Sequence, residues 1–120
     1  MNYEDRVTKE YVESALANAG AKVVTGTYTG TGTYGASNPR TLTFSAPPKL
    51  VYIYRDYDIM SNCMPMIHGQ SYGHSKSLTI SAYEKCPLTW SGNSVSWYNT
   101  RSADQQLNES GVTYYYFAIL

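Results

Sequence analysis

The chain has 120 residues, enough for one hydrophobic core and no more, since single cores grow to roughly 250 to 300 residues before a chain divides into domains. Nine Lys and Arg residues balance nine Asp and Glu residues, and no apolar run reaches the roughly 18 residues of a membrane span, so the composition argues against nucleic-acid binding and against membrane insertion. Tyrosine supplies 13 residues and charged residues only 15%, a composition that favours half-buried strands and contact surfaces.

Residues 8 to 19 are predicted to form a short amphipathic helix, because apolar side chains recur among them at helical spacings. Thr8 is suited to the N-cap, and Gly20 is suited to end the helix in the left-handed conformation. A helix of about twelve residues is marginal alone in water, so its apolar stripe needs either the β body or copies of itself. We expect residues 1–21 to form a helical lead-in and residues 22–120 to form a β-sandwich.

After the helix the pattern changes to the alternation of β-strands. A strand over residues 24 to 29 leads into a glycine-rich loop at residues 30 to 35. Residues 40 to 45 alternate apolar and polar side chains, as a strand with one buried face does. Two prolines end that strand, and residues 49 to 55 are predicted to form the next one.

Residues 56 to 75 are predicted to form a long loop. They contain methionine, proline, glycine, histidine, asparagine and glutamine without periodicity. Structureless loops longer than about 12 to 15 residues are usually functional or disordered. This segment is therefore the leading candidate for ligand contact.

Residues 87 to 98 are predicted to form a β-hairpin, preceded by a half-buried strand at residues 76 to 83. A two-residue turn at Gly92-Asn93 would pair matching positions of the two strands. The predicted pairs are Ser91 with Ser94, Trp90 with Val95, and Leu88 with Trp97. Both tryptophans then lie on one apolar face, which favours a place in the core over a role as sugar-stacking platforms.

The last strand, residues 112 to 120, is almost continuously apolar and aromatic, which predicts a central position in a sheet or at a subunit interface. Before it, residues 101 to 108 are expected to form a solvated polar link that can serve as a rim of a binding face. About six alternating strands predict an all-β fold, a small antiparallel β-sandwich preceded by a short N-terminal α-helix.

Several stretches carry a resemblance to a known family. Residues 44 to 54 read Phe-Ser-Ala-Pro-Pro-Lys-Leu-Val-Tyr-Ile-Tyr, residues 94 to 98 read Ser-Val-Ser-Trp-Tyr, and residues 114 to 119 read Tyr-Tyr-Tyr-Phe-Ala-Ile after an Ala103-Asp104 pair. In this order they resemble the C-terminal receptor-binding domains of bacteriophage tail fibres, which are related in pattern to the H-type lectins. The lead-in is similar to the short helix that precedes such heads, where three copies wind together. This similarity implies that residues 1–21 are a trimerisation handle and residues 22–120 a receptor-binding head. Members usually close on Ala-Ile-Gly, whereas this chain closes on Ala-Ile-Leu.

The resemblance implies a homotrimer of β-sandwiches that recognises a bacterial surface glycan without catalysis and without a cofactor. It also implies a place in the virion, at the tip of a tail fibre or a tail-derived device, after synthesis in the bacterial cytoplasm. A secretion signal has a basic segment followed by an apolar one, and the first residues of this sequence show no such pattern. The alternative is a tail or baseplate connector whose tyrosine-rich face binds another virion protein.

Polar side chains beside aromatic rings supply what sugar hydroxyls and C–H patches require. The candidate ligand-binding residues come from the predicted loop and from the polar link: Asp58, Asn62, His68, Gln70, Tyr72, His74, Arg101 and Asp104. The two histidines, six residues apart with Asp58 nearby, form too unspecific a pattern to predict a metal site.

Catalysis is the weakest hypothesis. Asp56 and Asp58 would share one face of a continuing strand, as the paired carboxylates of a glycosidase do, but no third motif supports them. The chain also contains no G-x-S-x-G elbow and no H-E-x-x-H helix motif. Cys63 and Cys86 form no C-x-x-C pair, and whether they join in a disulfide stays open.

Overall fold

The computed structural model describes residues 9–18, 20, 22–55, 58–76 and 83–120. These residues form one helix, α1 (Lys9–Asn18), and eight strands. The strands are β1 (Val23–Thr29), β2 (Arg40–Thr43), β3 (Leu50–Arg55), β4 (Asp58–Ile67), β5 (Tyr72–Lys76), β6 (Tyr83–Ser91), β7 (Ser94–Trp97) and β8 (Thr113–Ile119).

The strands form two four-stranded sheets. Sheet one has the order β1-β8-β3-β4, and sheet two has the order β2-β7-β6-β5. Neighbouring strands are antiparallel throughout the described residues. The predicted small antiparallel β-sandwich is confirmed, with β4 and β5 as strands that the sequence pattern did not reveal.

The core lies between the sheets and consists of alternate residues from each strand, because successive side chains of a strand point to opposite faces. Val51 and Ile53 of β3 and Tyr114 of β8 are fully buried from sheet one. Val95 and Trp97 of β7 are fully buried from sheet two. Burial of large apolar side chains such as these contributes about 1.5–3 kcal/mol each to folding.

The predicted hairpin is confirmed in its register. Ser91 pairs with Ser94, Trp90 with Val95, and Leu88 with Trp97. Gly92 has a φ of 56°, which the left-handed start of such a turn requires. Trp97 is buried in the core, and Trp90 is half-buried against it.

The central position predicted for the last strand is also confirmed, since β8 lies between β1 and β3. After it, Leu120 is buried, and its N–H donates to the carbonyl oxygen of Lys22 at 2.8 Å. The leucine that replaces the expected glycine is therefore packed into the structure.

The predicted loop at residues 56 to 75 is wrong, because residues 58–67 and 72–76 are strands. In β4, Met64 and Met66 point into the core and are fully buried. Pro65 pairs with Tyr52 on an edge strand, where the missing N–H of proline is tolerated. Methionine and proline are not typical strand residues, so the residue types of this segment did not indicate the strand that it forms.

Strand β5 follows a tight turn in which Gly69 has a φ of 91°. Gly73 allows β5 to pack closely on β4, because a Cβ atom there would lie 2.7 Å from the Sδ of Met64. Most of the strand predicted at residues 76 to 83 lies outside the described residues; Lys76 ends β5 and Tyr83 begins β6.

The predicted helix is confirmed over Lys9–Asn18, and Gly20 has the expected positive φ, 85°. Tyr11 and Ala15 of the predicted apolar stripe are exposed on α1. The predicted N-cap, Thr8, lies outside the described residues. In the part of the chain that the structure describes, no helix has the length and apolarity of a membrane span.

Candidate functional site

The link before β8 is not the solvated loop that the sequence predicted. Gln105 and Gln106 are fully buried, and Asn108 is nearly so. The side-chain oxygen of Gln106 accepts hydrogen bonds from the backbone N–H groups of Gly35 and Asn99, each at 2.9 Å. Buried amides are stable when their polar atoms are paired in this way, so the link is a rigid part of the interior.

The same link fastens the glycine-rich loop of residues 30 to 35. The side-chain amide nitrogen of Asn108 donates to the hydroxyl of Thr31 at 2.8 Å and to the carbonyl of Thr33 at 2.9 Å. The hydroxyl of Tyr28 donates to the carbonyl of Leu107 at 2.9 Å. These contacts support the sandwich at one end and leave few of the polar atoms of the link for a ligand.

Two of the predicted site residues, Asn62 and Asp104, lie in this interior region. Asn62 is fully buried, and its amide nitrogen is 2.5 Å from the carbonyl oxygen of Lys76 and 3.5 Å from that of Asp104. One carboxylate oxygen of Asp104 is 3.8 Å from the guanidinium of Arg55. The structure brings these two residues together, but beneath the surface.

Arg101 lies apart from the other predicted site residues. Its guanidinium forms an ion pair with Glu84 near the start of β6, and its backbone N–H donates to the side-chain oxygen of Asn99 at 2.7 Å. The ion pair is largely solvent-exposed, and such pairs contribute little to stability.

His68 and Gln70 lie in the turn between β4 and β5. The Nδ1 of His68 is 3.1 Å from the carbonyl oxygen of Pro48, and its ring centroid is 4.9 Å from that of Trp90. The indole N–H of Trp90 donates to the carbonyl of Gln70 at 2.9 Å. The side chains of both turn residues are exposed, so the turn is a well-anchored surface element.

Tyr72 and His74 lie together on the outer face of sheet two. His74 pairs with Lys85 across β5 and β6, and Lys76 pairs with Tyr83. Tyr72 is 47% exposed and Tyr83 is 59% exposed. We call these five outward-facing residues the β5–β6 strip.

Lys85 connects the strip, since its ammonium nitrogen is 5.3 Å from the centroid of the Tyr72 ring. That distance is within the range of a cation–π interaction. Sequence reasoning missed Lys76, Tyr83 and Lys85. The available signal was the alternation of Tyr83 and Lys85, which becomes informative only once the register with β5 is known.

The outer face of sheet one has a different chemistry. The rings of Tyr52 and Phe117 are stacked with centroids 5.5 Å apart, and those of Tyr54 and Tyr115 with centroids 5.7 Å apart. Burial raises the pKa of Tyr52, and a hydrogen bond with Cys63 raises it further. We call the four stacked rings the aromatic face.

The carboxylate pair considered for glycosidase chemistry is not described by the structure. Asp58 begins β4 opposite Arg55, but its side chain lies outside the described residues, as does the whole of Asp56. His68 and His74 are placed on a turn and on a sheet face. Among the residues that the structure describes, no group of three or more His, Cys, Asp or Glu side chains is arranged to hold a metal ion.

The two cysteines are both free and buried. Cys63 lies on β4 in sheet one, and Cys86 lies on β6 in sheet two. Burial raises the pKa of the Cys86 thiol, which is 3.5 Å from the hydroxyl of Ser75. A neutral, buried thiol is unreactive, so Cys86 acts as a packing residue.

Comparisons of the chain with protein-family models, with curated proteins and with solved structures gave no significant match. A functional proposal therefore depends on the residues and the geometry described above.

Proposed function

We propose that this chain is the receptor-binding head of a phage tail fibre, or of a tail-derived device, and that it binds a bacterial surface glycan without catalysis. The observation that carries the proposal is the β5–β6 strip, where an exposed tyrosine ring lies beside hydrogen-bonding side chains. Sugars present C–H patches and hydroxyls together, and an aromatic ring with adjacent donors matches both.

The turn at His68 and Gln70 immediately precedes this surface. It leads directly into Tyr72 at the start of β5, and both side chains are exposed. Four of the eight predicted site residues, His68, Gln70, Tyr72 and His74, thus follow one another along the turn and one strand face. Strands are more rigid than long loops, so this surface is preformed. Binding of a ligand to it would therefore cost less ordering entropy than binding to a mobile loop.

The resemblance to tail-fibre heads supports the proposed class of protein, because the matching residues belong mainly to the strands of the sandwich. Most of its motif residues lie on β3, β7 and β8, whereas residues 44–49 lie between β2 and β3 and the Ala103-Asp104 pair lies in the link before β8. None of these motifs includes a residue of the β5–β6 strip. The resemblance thus supports the class of protein, and the strip supports the location of the site.

We further propose that the chain assembles as a homotrimer at a fibre tip in the virion, joined to other tail proteins. The exposed Ala15 of α1 supports this, because an amphipathic helix of this length needs a partner for its apolar stripe. Three copies would multiply weak single-site contacts. Sedimentation equilibrium of the whole chain should show a trimer, and a monomer at all concentrations would exclude this assembly.

Glycan-array binding of the whole chain tests the proposed function. Tyr72→Ala should abolish binding, because it removes the exposed ring of the strip. Tyr34→Ala is the matched control, since Tyr34 is equally exposed but lies in the glycine-rich loop. Equal binding by both variants would overturn the location of the site, and silence of the parent chain on the array would overturn the function.

The aromatic face favours a second candidate function, that of a tail or baseplate connector. Stacked, half-buried tyrosine and phenylalanine rings are typical of protein–protein contact surfaces. Tight binding to a neighbouring tail protein combined with silence on the glycan array would favour this function. Tyr115→Ser should weaken that binding, whereas Tyr72→Ala should not.

A further inference from the structure

We infer that the β5–β6 strip selects anionic saccharides, those that carry carboxylate or phosphate groups. This inference rests on the proposed glycan-binding function and specifies its ligand class. It is carried by the charges of the strip, by the absence of carboxylates on the described outer face of sheet two, and by the engagement of the described arginines elsewhere.

The strip places two lysines and a histidine on one face. Tyr72, His74 and Lys76 alternate along β5, and Lys85 and Tyr83 face outward from the adjacent strand. Paired positions on neighbouring strands have Cβ atoms about 4.5–5.5 Å apart, so these side chains form one surface. Along β5 the strip extends over four residue steps, or roughly 14 Å.

No carboxylate opposes these charges on the described outer face of sheet two. That face carries hydroxyl groups away from the strip, with Thr41 bonded to Ser96 and Thr43 bonded to Ser94, each pair at 2.7 Å. Glu84 lies on the other face of β6, where it pairs with Arg101. The segment that joins β5 to β6, residues 77 to 82, contains no Asp or Glu in its sequence.

The described arginines are engaged elsewhere and do not add to the charge of the strip, whose lysines are Lys76 and Lys85. Arg55 pairs with Glu109, and Arg101 pairs with Glu84. The guanidinium of Arg40 lies 4.2 Å from the centroid of the Tyr28 ring. Lys85, by contrast, lies over an exposed ring, where its ammonium group can meet a ligand anion while the ring meets a sugar face.

The geometry distinguishes an anionic sugar from other anionic partners. Nucleic acid is recognised by an extended basic surface, whereas this chain has a net charge of zero and a strip confined to two short strands. The exposed tyrosines flanking the cations match the alternating apolar and charged character of an acidic saccharide.

The test is a glycan array on which bacterial oligosaccharides that contain uronic acids or phosphate are printed beside their carboxyl-reduced or dephosphorylated counterparts. The whole chain should bind the acidic forms at least about tenfold more tightly, since one lost charge-assisted contact corresponds to roughly that factor. The carboxylate and phosphate pairs show which anion is preferred. Equal binding to acidic and neutralised forms would overturn the inference and leave the glycan-binding function intact.

Charge-removing variants locate the effect. Lys76→Met with Lys85→Met keeps the apolar stems and should abolish the preference for acidic forms without changing the affinity for neutralised forms. Lys22→Met with Lys49→Met is the matched control, since both lysines are exposed outside the strip, and should change affinity less than about twofold. An equal loss in the control pair would overturn the assignment to the strip.

Two further outcomes would also overturn the inference. Equal affinity for a DNA duplex and for the acidic saccharides would indicate unselective polyanion binding. Silence on every printed glycan would remove the function on which the inference rests, and this outcome is distinguishable from equal binding to acidic and neutralised forms. Unchanged thermal unfolding of each lysine variant confirms that its scaffold is intact.

Discussion

The two outer faces of the sandwich differ although they cover the same core. The aromatic face of sheet one consists of stacked rings, whereas the outer face of sheet two carries hydroxyl ladders and the β5–β6 strip. Most inward positions of the strands are apolar because they form the core, whereas outward positions are freer to vary. The outward residues therefore carry the functional differences: one face suits packing against protein, and the other suits a polar, charged ligand.

Removing the shared core should disrupt both faces and is the largest expected effect. Trp97→Ala deletes a fully buried indole whose N–H donates to the carbonyl of Gln106 at 2.8 Å, and should lower the free energy of unfolding by about 3–5 kcal/mol. Chemical denaturation measures this change. Trp90→Ala should cost clearly less, because Trp90 is only half-buried, and equal losses would contradict the different roles of the two tryptophans.

Alkaline pH should destabilise the fold through its buried tyrosines. Burial raises the pKa of Tyr114 to about 12 and that of Tyr28 well above its ordinary value. The folded state holds the Tyr114 hydroxyl protonated, so this stabilisation is complete below pH 10 and is lost as the pH rises towards 12. The raised pKa of Tyr114 corresponds to a contribution of up to about 3 kcal/mol to the free energy of unfolding.

Denaturation at stepped pH values measures this loss. Tyr114→Phe should unfold with a shallower pH dependence above pH 10 than the parent chain. An unchanged slope in Tyr114→Phe would show that this buried hydroxyl does not control alkaline unfolding.

Gly73→Val should disturb sheet two while leaving the aromatic face in place. The added side chain meets the Sδ of Met64, and overpacking of this kind costs about 1–3 kcal/mol. The expected result is a lower melting temperature with weaker ligand binding at the strip. Thr89→Val, on the exposed side of β6, is the control and should change stability by less than about 0.5 kcal/mol. Equal melting temperatures for the two variants would contradict the close approach of β5 to β4.

The smallest stability effect is expected at the ligand surface itself. Tyr72→Ala should change the free energy of unfolding by less than about 1 kcal/mol, because the ring is half-exposed. Tyr115→Ala should cost more, since it removes a ring stacked on Tyr54. If Tyr72→Ala were the more destabilising variant, the strip would be a structural element and not a surface available to a ligand.

The site was only partly predictable from the sequence. His68, Gln70, Tyr72 and His74 were identified as polar and aromatic groups close together in the chain, and they lie along one turn and one strand face. Lys85 was missed because it is distant in sequence and reaches Tyr72 only through the pairing of β5 with β6. Asn62 carried the same polar signal as its neighbours, but its position on β4 directs it inward.

The sequence by itself determined the features that depend on local geometry. The hairpin around Gly92 has the predicted register, because a two-residue turn and the alternation of apolar residues specify the pairing within one short segment. The helix at Lys9–Asn18 and the apolar last strand follow from periodicity in the same way.

Only the tertiary structure decided the features that depend on distant partners. Residues 58–67 became a strand because β3 offers a pairing edge and the core accepts Met64 and Met66. The amides of Gln106 and Asn108 became buried because Gly35 and Thr31, some seventy residues earlier in the chain, supply their hydrogen bonds. From sequence alone, polar residues are predicted to be solvated, because their burial is favourable only when partners satisfy their hydrogen bonds.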